Sequence, residues 1–360
     1  MNAALSTAFT DEQRSLRDAV RSLLAKRSTS ADVRRAMDSQ LGYDAQLWST
    51  MCEQIGVAAL ALPEKSGGIG AGPVENAIVL DELGRALTPS PMLGSAVFGG
   101  QLLLALDDDT APEELLPRIA SGEIVTVAWA GADGQWTEPA VRVEAGGLVG
   151  TAHYVLDADL AAIVLVVARD EDGVGVYEVA ADDAVRTHTP SMDPTRRLGT
   201  VTLDGVTGRR LGSGSAEDAL RRAKDAAVAA LAAEQAGAAQ RILELTVEYA
   251  KVRVQFGRPI GSFQALKHRM ADLHVLVEAA RSAAYAAVRG ETDASVAKTY
   301  CSEAFATVAG EAIQLHGGIA ITWEHDAHLY FKRAHGSAQL FGQPREYIDR
   351  MAALAGIEDR

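Results

Sequence analysis

The chain has 360 residues, 48% of them apolar and 23% charged, with 48 acidic against 34 basic side chains and a formal net charge of −14. That length suits two or three packed domains and that apolar share excludes global disorder, while the acidity and the lack of any basic stripe argue against a nucleic-acid partner. No run approaches the ~20 apolar residues that span a bilayer; the amino terminus turns polar at once, and the two cysteines, Cys52 and Cys301, form no metal or disulfide pattern, so a cytoplasmic protein without membrane contact is expected.

The first third reads as helices. Thr10 followed by Gln13 is a capping box ahead of an apolar stripe at Leu16, Val20, Leu23 and Leu24. A second helix runs from about Ala45 to Ile55, and Pro63 with Gly67, Gly68 and Gly70 then forces a loop. A third helix, Val74 to Leu87, stops at Thr88-Pro89-Ser90-Pro91, and a fourth covers the Gln101 region with Pro117 to Gly122 as its end.

The texture then changes to short β-branched runs separated by Gly or Asp turns: Ile124 to Trp129, Val141 to Val143, Leu148 to Val155, Ala162 to Val167 and Gly175 to Val179. These are strands at hairpin spacing, with Val201 to Leu203 expected to close the sheet. Gly212-Ser213-Gly214-Ser215 reads as a linker, and Ala216 to Gly290 is helical except where Gly257, Pro259 and Gly261 break it. Further helices are predicted from Ser295 to Leu315 and from Pro344 to Ala355. The expected architecture is α+β: a helical domain over residues 1–121, a β-barrel or sheet domain over 122–212 and a four-helix bundle over 213–360.

Three segments resemble the acyl-CoA dehydrogenase family, and together with the α, β, α order they extend the likeness over nearly the whole chain. They are ALALPEKSGGIGAGPVENAIVLDELGRALTPSP (59–91), YAKVRVQFGRPIGSFQALKHRMAD (249–272), and QLHGG (314–318) leading into Trp323-Glu324-His325-Asp326. The resemblance implies FAD as cofactor, an acyl-CoA substrate and an electron-transfer flavoprotein as acceptor. It also implies that Arg253, Gln255, Phe256 and Gln264 reach the flavin dinucleotide of a neighbouring subunit, with Gln314, Leu315, His316, Gly317 and Gly318 close by. The side chains suit those roles. A guanidinium grips a pyrophosphate in two-pronged fashion, a phenyl face stacks on adenine, and carboxamides serve ribose and phosphate edges. Adjacent glycines let a backbone approach a phosphate. The plainer alternatives are that Arg253 caps a helix, Phe256 is core, Gly317 is a C-cap and His316 is a packed side chain.

The family's reaction also needs a carboxylate base. In most members it lies about two dozen residues beyond the double glycine, where this chain has Phe341 followed by Gly342. In others it lies upstream of the RxQFG phenylalanine, at the position held here by Ala227. Asp225, two residues away, is the nearest carboxylate, with an acidic residue near a helix N-terminus as its plainer reading. Glu234 and Glu244 read as the polar face of a surface helix.

The motifs that hold the isoalloxazine in relatives are missing too. After the first strand the chain has GADGQ, Thr137-Glu138-Pro139 lacks the Gly-Ser-Asp that should follow it, and Tyr154-Val155-Leu156 stands where Trp-Ile-Thr is expected. This pattern resembles the actinobacterial members that assemble as α2β2 heterotetramers, and points to the subunit type without the base. A self-sufficient homotetramer, an oxidase or monooxygenase relative, and a flavin-free structural paralogue are the other readings.

Overall fold

The structure is a computed structural model and describes residues 9–357. Helix α1 (Asp11–Arg27) begins as predicted: the Thr10 hydroxyl accepts from the Gln13 N–H and the Gln13 side chain accepts from the Thr10 N–H. The same device, Thr29 with Asp32, starts α2 (Ser30–Met37), a helix the sequence reading passed over. Helices α3 (Ala45–Gln54) and α4 (Pro73–Ala86) follow the expected spans. The expected fourth helix is two separate elements. A π-helical segment, Met92–Gly99, runs into α5 (Gly100–Ala105), and α6 (Thr110–Ala120) follows a turn. Pro117 lies inside α6, where it removes only the donor to the Glu113 carbonyl and the helix ends three residues later.

The middle of the chain forms an eight-stranded sheet: β1 (Val125–Ala128), β2 (Val141–Glu144), β3 (Gly147–Leu156), β4 (Ile163–Asp170), β5 (Gly173–Ala180), β6 (Val185–His188), β7 (Leu198–Val206) and β8 (Arg209–Leu211). The order is β6-β7-β3-β2-β4-β5-β8, and β1 also pairs with β4. Simple hairpin succession does not hold. β1 and β2 both lie parallel to β4, β1 along Ile163 to Val166 and β2 along Ala168 and Arg169. Nor does Val201 to Leu203 close the sheet, because β7 is an inner strand and β6 and β8 stand at the ends. The residues 212–215 expected to be a loose linker are held in place: Gly212 donates to Asp108, and Arg210 donates to the Gly212 and Gly214 carbonyls.

The last block is α7 (Glu217–Val252), a two-stranded ribbon of β9 (Val254–Gln255) and β10 (Arg258–Pro259), α8 (Gln264–Val288), α9 (Ala294–His316), α10 (Ala327–Gln339) and α11 (Pro344–Leu354). Helix α7 is the spine. It packs on α4, α8, α9 and α10, and it crosses α4 where two glycines face each other's backbone. A Cβ on Gly84 would stand 2.1 Å from the Glu234 carbonyl oxygen, and one on Gly237 would stand 2.1 Å from that of Asp81. Among the described residues, no helix is long and apolar enough to cross a membrane and no group of three or more His, Cys, Asp or Glu is placed to hold a metal ion.

A buried ionic cluster joins the blocks. Glu234 on α7 is 4% exposed, not on the solvent face that its sequence context suggested. It is ion-paired with Arg196 from the segment before β7, and Arg333 of α10 lies 3.5 Å from it and 3.5 Å from Asp193. Burial alone would raise the Glu234 carboxyl; the two guanidiniums overcome that and hold it below the usual carboxylate range. Glu244 is half-buried and accepts from both terminal nitrogens of Arg85, a second tie between α7 and α4. Replacing Glu234 by Ala leaves the buried Arg196 guanidinium without its carboxylate and Arg333 with Asp193 but not Glu234, and denaturant unfolding should register a loss of about 3–5 kcal/mol.

Asp157, beside this cluster, is fully enclosed at φ +52, and burial pushes its carboxyl up to about 7. The unfolded chain releases that proton near pH ~4. Between those values the folded state holds more protons, so this group's contribution to stability falls as pH rises and levels off above about 7. Asn tolerates the left-handed backbone and does not titrate. The stability of Asp157→Asn relative to the parent should therefore climb between pH ~4 and about 7 and then stay level, as chemical denaturation at stepped pH can measure.

Candidate functional site

The segment YAKVRVQFGRPIGSFQ ends α7 and opens α8. The Arg253 N–H donates to the Tyr249 carbonyl as the last helical bond, and the Ile260 N–H donates to the Arg253 carbonyl to close the ribbon. Phe256 and Gly257 form its two-residue turn at φ +53 and φ +74, the left-handed pair that a tight hairpin demands. Glycine suits that backbone. Phenylalanine does not, and its ring is 90% exposed, so Phe256 is not a core residue. Among the described residues its ring neighbour is Phe263, edge-on at 6.0 Å, which in turn carries the Arg258 guanidinium at 4.0 Å from its centroid. The side chains of Arg253, Gln255 and Gln264 are exposed and make no hydrogen bond or ion pair among the described residues.

The second motif lies alongside. Helix α9 ends at His316, and Gly317 (φ +68) turns the chain into a 3-10 segment, Gly317–Ile321. Tyr249 joins the two motifs: its hydroxyl donates to the His316 carbonyl at 3.2 Å and its ring stacks on the His316 imidazole at 4.5 Å. His325 flanks the same imidazole at 4.4 Å. His316 is buried, its Nδ1 lies 2.8 Å from the Ala312 carbonyl, and burial lowers its pKa. It is a spacer between helix ends. The Leu315 side chain is buried as well, so both residues can meet a ligand only through their backbone. Gln314 is exposed, and nothing lies within 4 Å of where a Cβ would stand on Gly317 or Gly318. Exposed Val252, Val254, Ile321 and Trp323 surround this end of the bundle.

The opposite end of α7 is closed. Phe341 (φ +63) is fully buried, with its ring 5.1 Å from Phe98 and 5.0 Å from Trp136. Trp136 also meets Trp129 at 6.0 Å, and Tyr347 donates to the Phe341 carbonyl at 2.7 Å. Ala227 belongs to the same apolar cluster. Trp136, which the sequence reading did not single out, follows GADGQ and turns inward, with Lys224 donating to its carbonyl at 3.2 Å. Beside these rings lies a cleft of about 310 Å³ walled by Trp136, Tyr154, Met192 and Leu340. Neither expected base position carries a group able to take a proton. Asp225 is not poised over any of this: both its oxygens accept from Arg350, at 2.7 and 2.9 Å, and Arg350 also reaches Asp293 at 2.6 Å. The hydrogen bonds that Arg350 donates to Asp225 are the leading cause of its raised pKa.

Sequence comparison accords with this geometry. Residues 10–123 match the acyl-CoA dehydrogenase N-terminal domain and residues 225–344 the acyl-CoA dehydrogenase C-terminal domain, and the chain belongs to the acyl-CoA dehydrogenase family. It is 46% identical to acyl-CoA dehydrogenase IpdE2 of Mycobacterium tuberculosis, over 95% of this chain and 96% of that one. Among solved structures it is similar to the Tcur3481-Tcur3483 steroid ACAD G363A variant, at 30% identity, TM-score 0.87, and 96% and 98% coverage of the two chains. The ChsE4-ChsE5 complex from Mycobacterium tuberculosis matches at 28% identity, TM-score 0.87, and 98% and 99% coverage.

Because Asp225 is a clamp on Arg350, Asp225→Asn should cost about 1 kcal/mol in thermal unfolding, the scale of a partly exposed ion pair, and leave any dehydrogenase activity unchanged.

Proposed function

We propose that this chain is the non-catalytic subunit of an FAD-dependent acyl-CoA dehydrogenase, and that it completes the flavin site of a related catalytic chain in an α2β2 assembly. The observation that carries the proposal is the contrast between the two ends of α7. Removal of an α-proton from an acyl-CoA thioester needs a carboxylate in reach of the substrate. Here the two family base positions, Phe341 and Ala227, are apolar and wholly buried.

The two ends also differ in their fit to FAD. The exposed face at Arg253 to Gln264 offers unengaged donors, an exposed ring and open glycine backbone, which fit the dinucleotide tail. The region next to β1 does not fit an isoalloxazine, because Trp136 turns inward there against Phe341, Phe98 and Trp129. On this reading Arg253 grips the pyrophosphate and Phe256 stacks on the adenine. Gln255 and Gln264 serve ribose and phosphate edges, and the open backbone at Gly317 and Gly318 lets the phosphate come close. Bound FAD supplies the hydride acceptor for α,β-desaturation of the thioester. This chain's part is to orient the tail and exclude water from it, while the catalytic chain holds the substrate. Electrons pass on to an electron-transfer flavoprotein. The likeness to the ChsE4-ChsE5 complex supports a two-chain assembly, and the exposed Val252, Val254, Ile321 and Trp323 supply apolar surface for it.

Co-expression with a related catalytic chain should give a tetramer holding two FAD by absorbance, not four. The chain purified alone with one FAD per subunit and dehydrogenase turnover would overturn the proposal. Within the complex, Arg253→Ala should weaken FAD retention by about tenfold or more, the worth of a charge-assisted contact. The melting temperature of the isolated chain should not move, because the exposed Arg253 side chain makes no hydrogen bond or ion pair among the described residues.

A further inference from the structure

Residues 249–271 carry Lys251, Arg253, Arg258, Lys267 and Arg269 and not one Asp or Glu, in a chain whose 48 acidic side chains outnumber its 34 basic ones. Arg269 is ion-paired with Glu311. Lys251, Arg253, Arg258 and Lys267 are exposed and have no ion pair among the described residues. The acids on either side of the segment do not answer them. Glu248 lies 3.4 Å from Arg241, and Asp272 stands two turns beyond Gln264, about 12 Å along α8. A strongly acidic chain thus presents a locally basic face.

The fold gathers these charges. Arg258 pairs with Gln255 across the ribbon, which puts the two side chains on one face, and Arg253, two residues back along extended backbone, shares it. Stacking on Phe263, at 4.0 Å from the ring centroid, pins the Arg258 guanidinium there. Lys267 follows Gln264 by three residues, so the two are neighbours on the surface of α8. Lys251 belongs to the last turn of α7. Exposed Val252, Val254 and Phe256 lie between the charges.

A dinucleotide brings one negative charge per phosphate, so two of these cations neutralise its pyrophosphate. The other two remain among apolar side chains that a partner would cover. A cation shut off from water in such a place is costly unless an anion meets it, and a neutral or basic partner face would leave it unpaired.

We propose that the partner surface seated on this ribbon is acidic, with carboxylates meeting Arg258 and Lys267 beside the flavin tail. The inference rests on the subunit reading above and adds that charge complementarity guides the two chains together.

The test is association with a related catalytic chain in excess FAD, followed by biolayer interferometry, with FAD per assembled complex read by absorbance. Raising NaCl from about 50 to about 500 mM should slow association roughly tenfold or more, as for other steered encounters. At low salt Arg258→Glu with Lys267→Glu should weaken assembly by about tenfold or more, while the complexes that form still hold FAD. Lys267→Glu alone should act in the same direction without touching the Arg258–Phe263 stack. Lys26→Glu, the same charge change on an exposed and unpaired lysine of α1, should leave assembly unchanged. Assembly indifferent to salt and to the reversals overturns the inference, as does an equal loss from Lys26→Glu. Loss of FAD with assembly intact also overturns it, because the cations are then cofactor contacts. Parent chains that never assemble sink the subunit reading itself, and this inference with it.

Discussion

Glu234 is a carboxylate in the middle of an alanine-rich helix, walled off from water, and it is tolerable there only because Arg196 and Arg333 come to it from two other parts of the chain. That requirement ties the sheet, α7 and α10 together with a charge that none of them can satisfy alone. Close by, α4 crosses α7 at Gly84 and Gly237 with almost no distance between backbones. A slip of either helix by one residue would put a side chain into a carbonyl and pull the carboxylate off its partners. The register of α7 is thereby set, and with it everything carried at the two ends of the helix.

Those ends have opposite character. At the first, Ala227 faces into apolar packing where Phe98, Trp136 and Phe341 meet ring to edge. Rings packed edge to face in this way fill the space between them and present no carboxylate there. At the second, the Tyr249–His316–His325 stack fixes the ends of α7 and α9 side by side, so the ribbon and the glycine turn form one rigid face. A phenylalanine held at positive φ and left in water costs the isolated chain stability. Such strain is tolerated where a neighbouring surface uses it. The molecule is thus closed where relatives do chemistry and open where a neighbour would be served.

Much of this was legible from local chemistry. Thr10 with Gln13 marks a helix start through two bonds that span only three residues, and Gly257, Pro259 and Gly261 break a helix wherever they occur. Once the family resemblance says where relatives carry the base, counting along the chain finds Phe341 and Ala227 there. Other features were not legible, because distant partners decide them. Strands β6 and β8 read Val-Arg-Thr-His and Arg-Arg-Leu, too polar and short to declare themselves, and they pair because inner strands offer them an edge. Glu234 and Glu244 look like any polar helix face until Arg196, Arg333 and Arg85 are brought to them.

By itself, the sequence determined the principal helices and the inner strands, that the chain is an acyl-CoA dehydrogenase homologue, and that Phe341 and Ala227 stand where the family resemblance places the base. Each of these follows from residue type and spacing over a short stretch. The tertiary structure alone decided that Trp136 turns inward to meet Phe341, that Asp225 is bound to Arg350, and that Phe256 stands exposed while Glu234 is buried. Those outcomes depend on contacts between residues up to hundreds of positions apart, whose energies come from excluding water once the chain has closed on itself, and no local pattern encodes them.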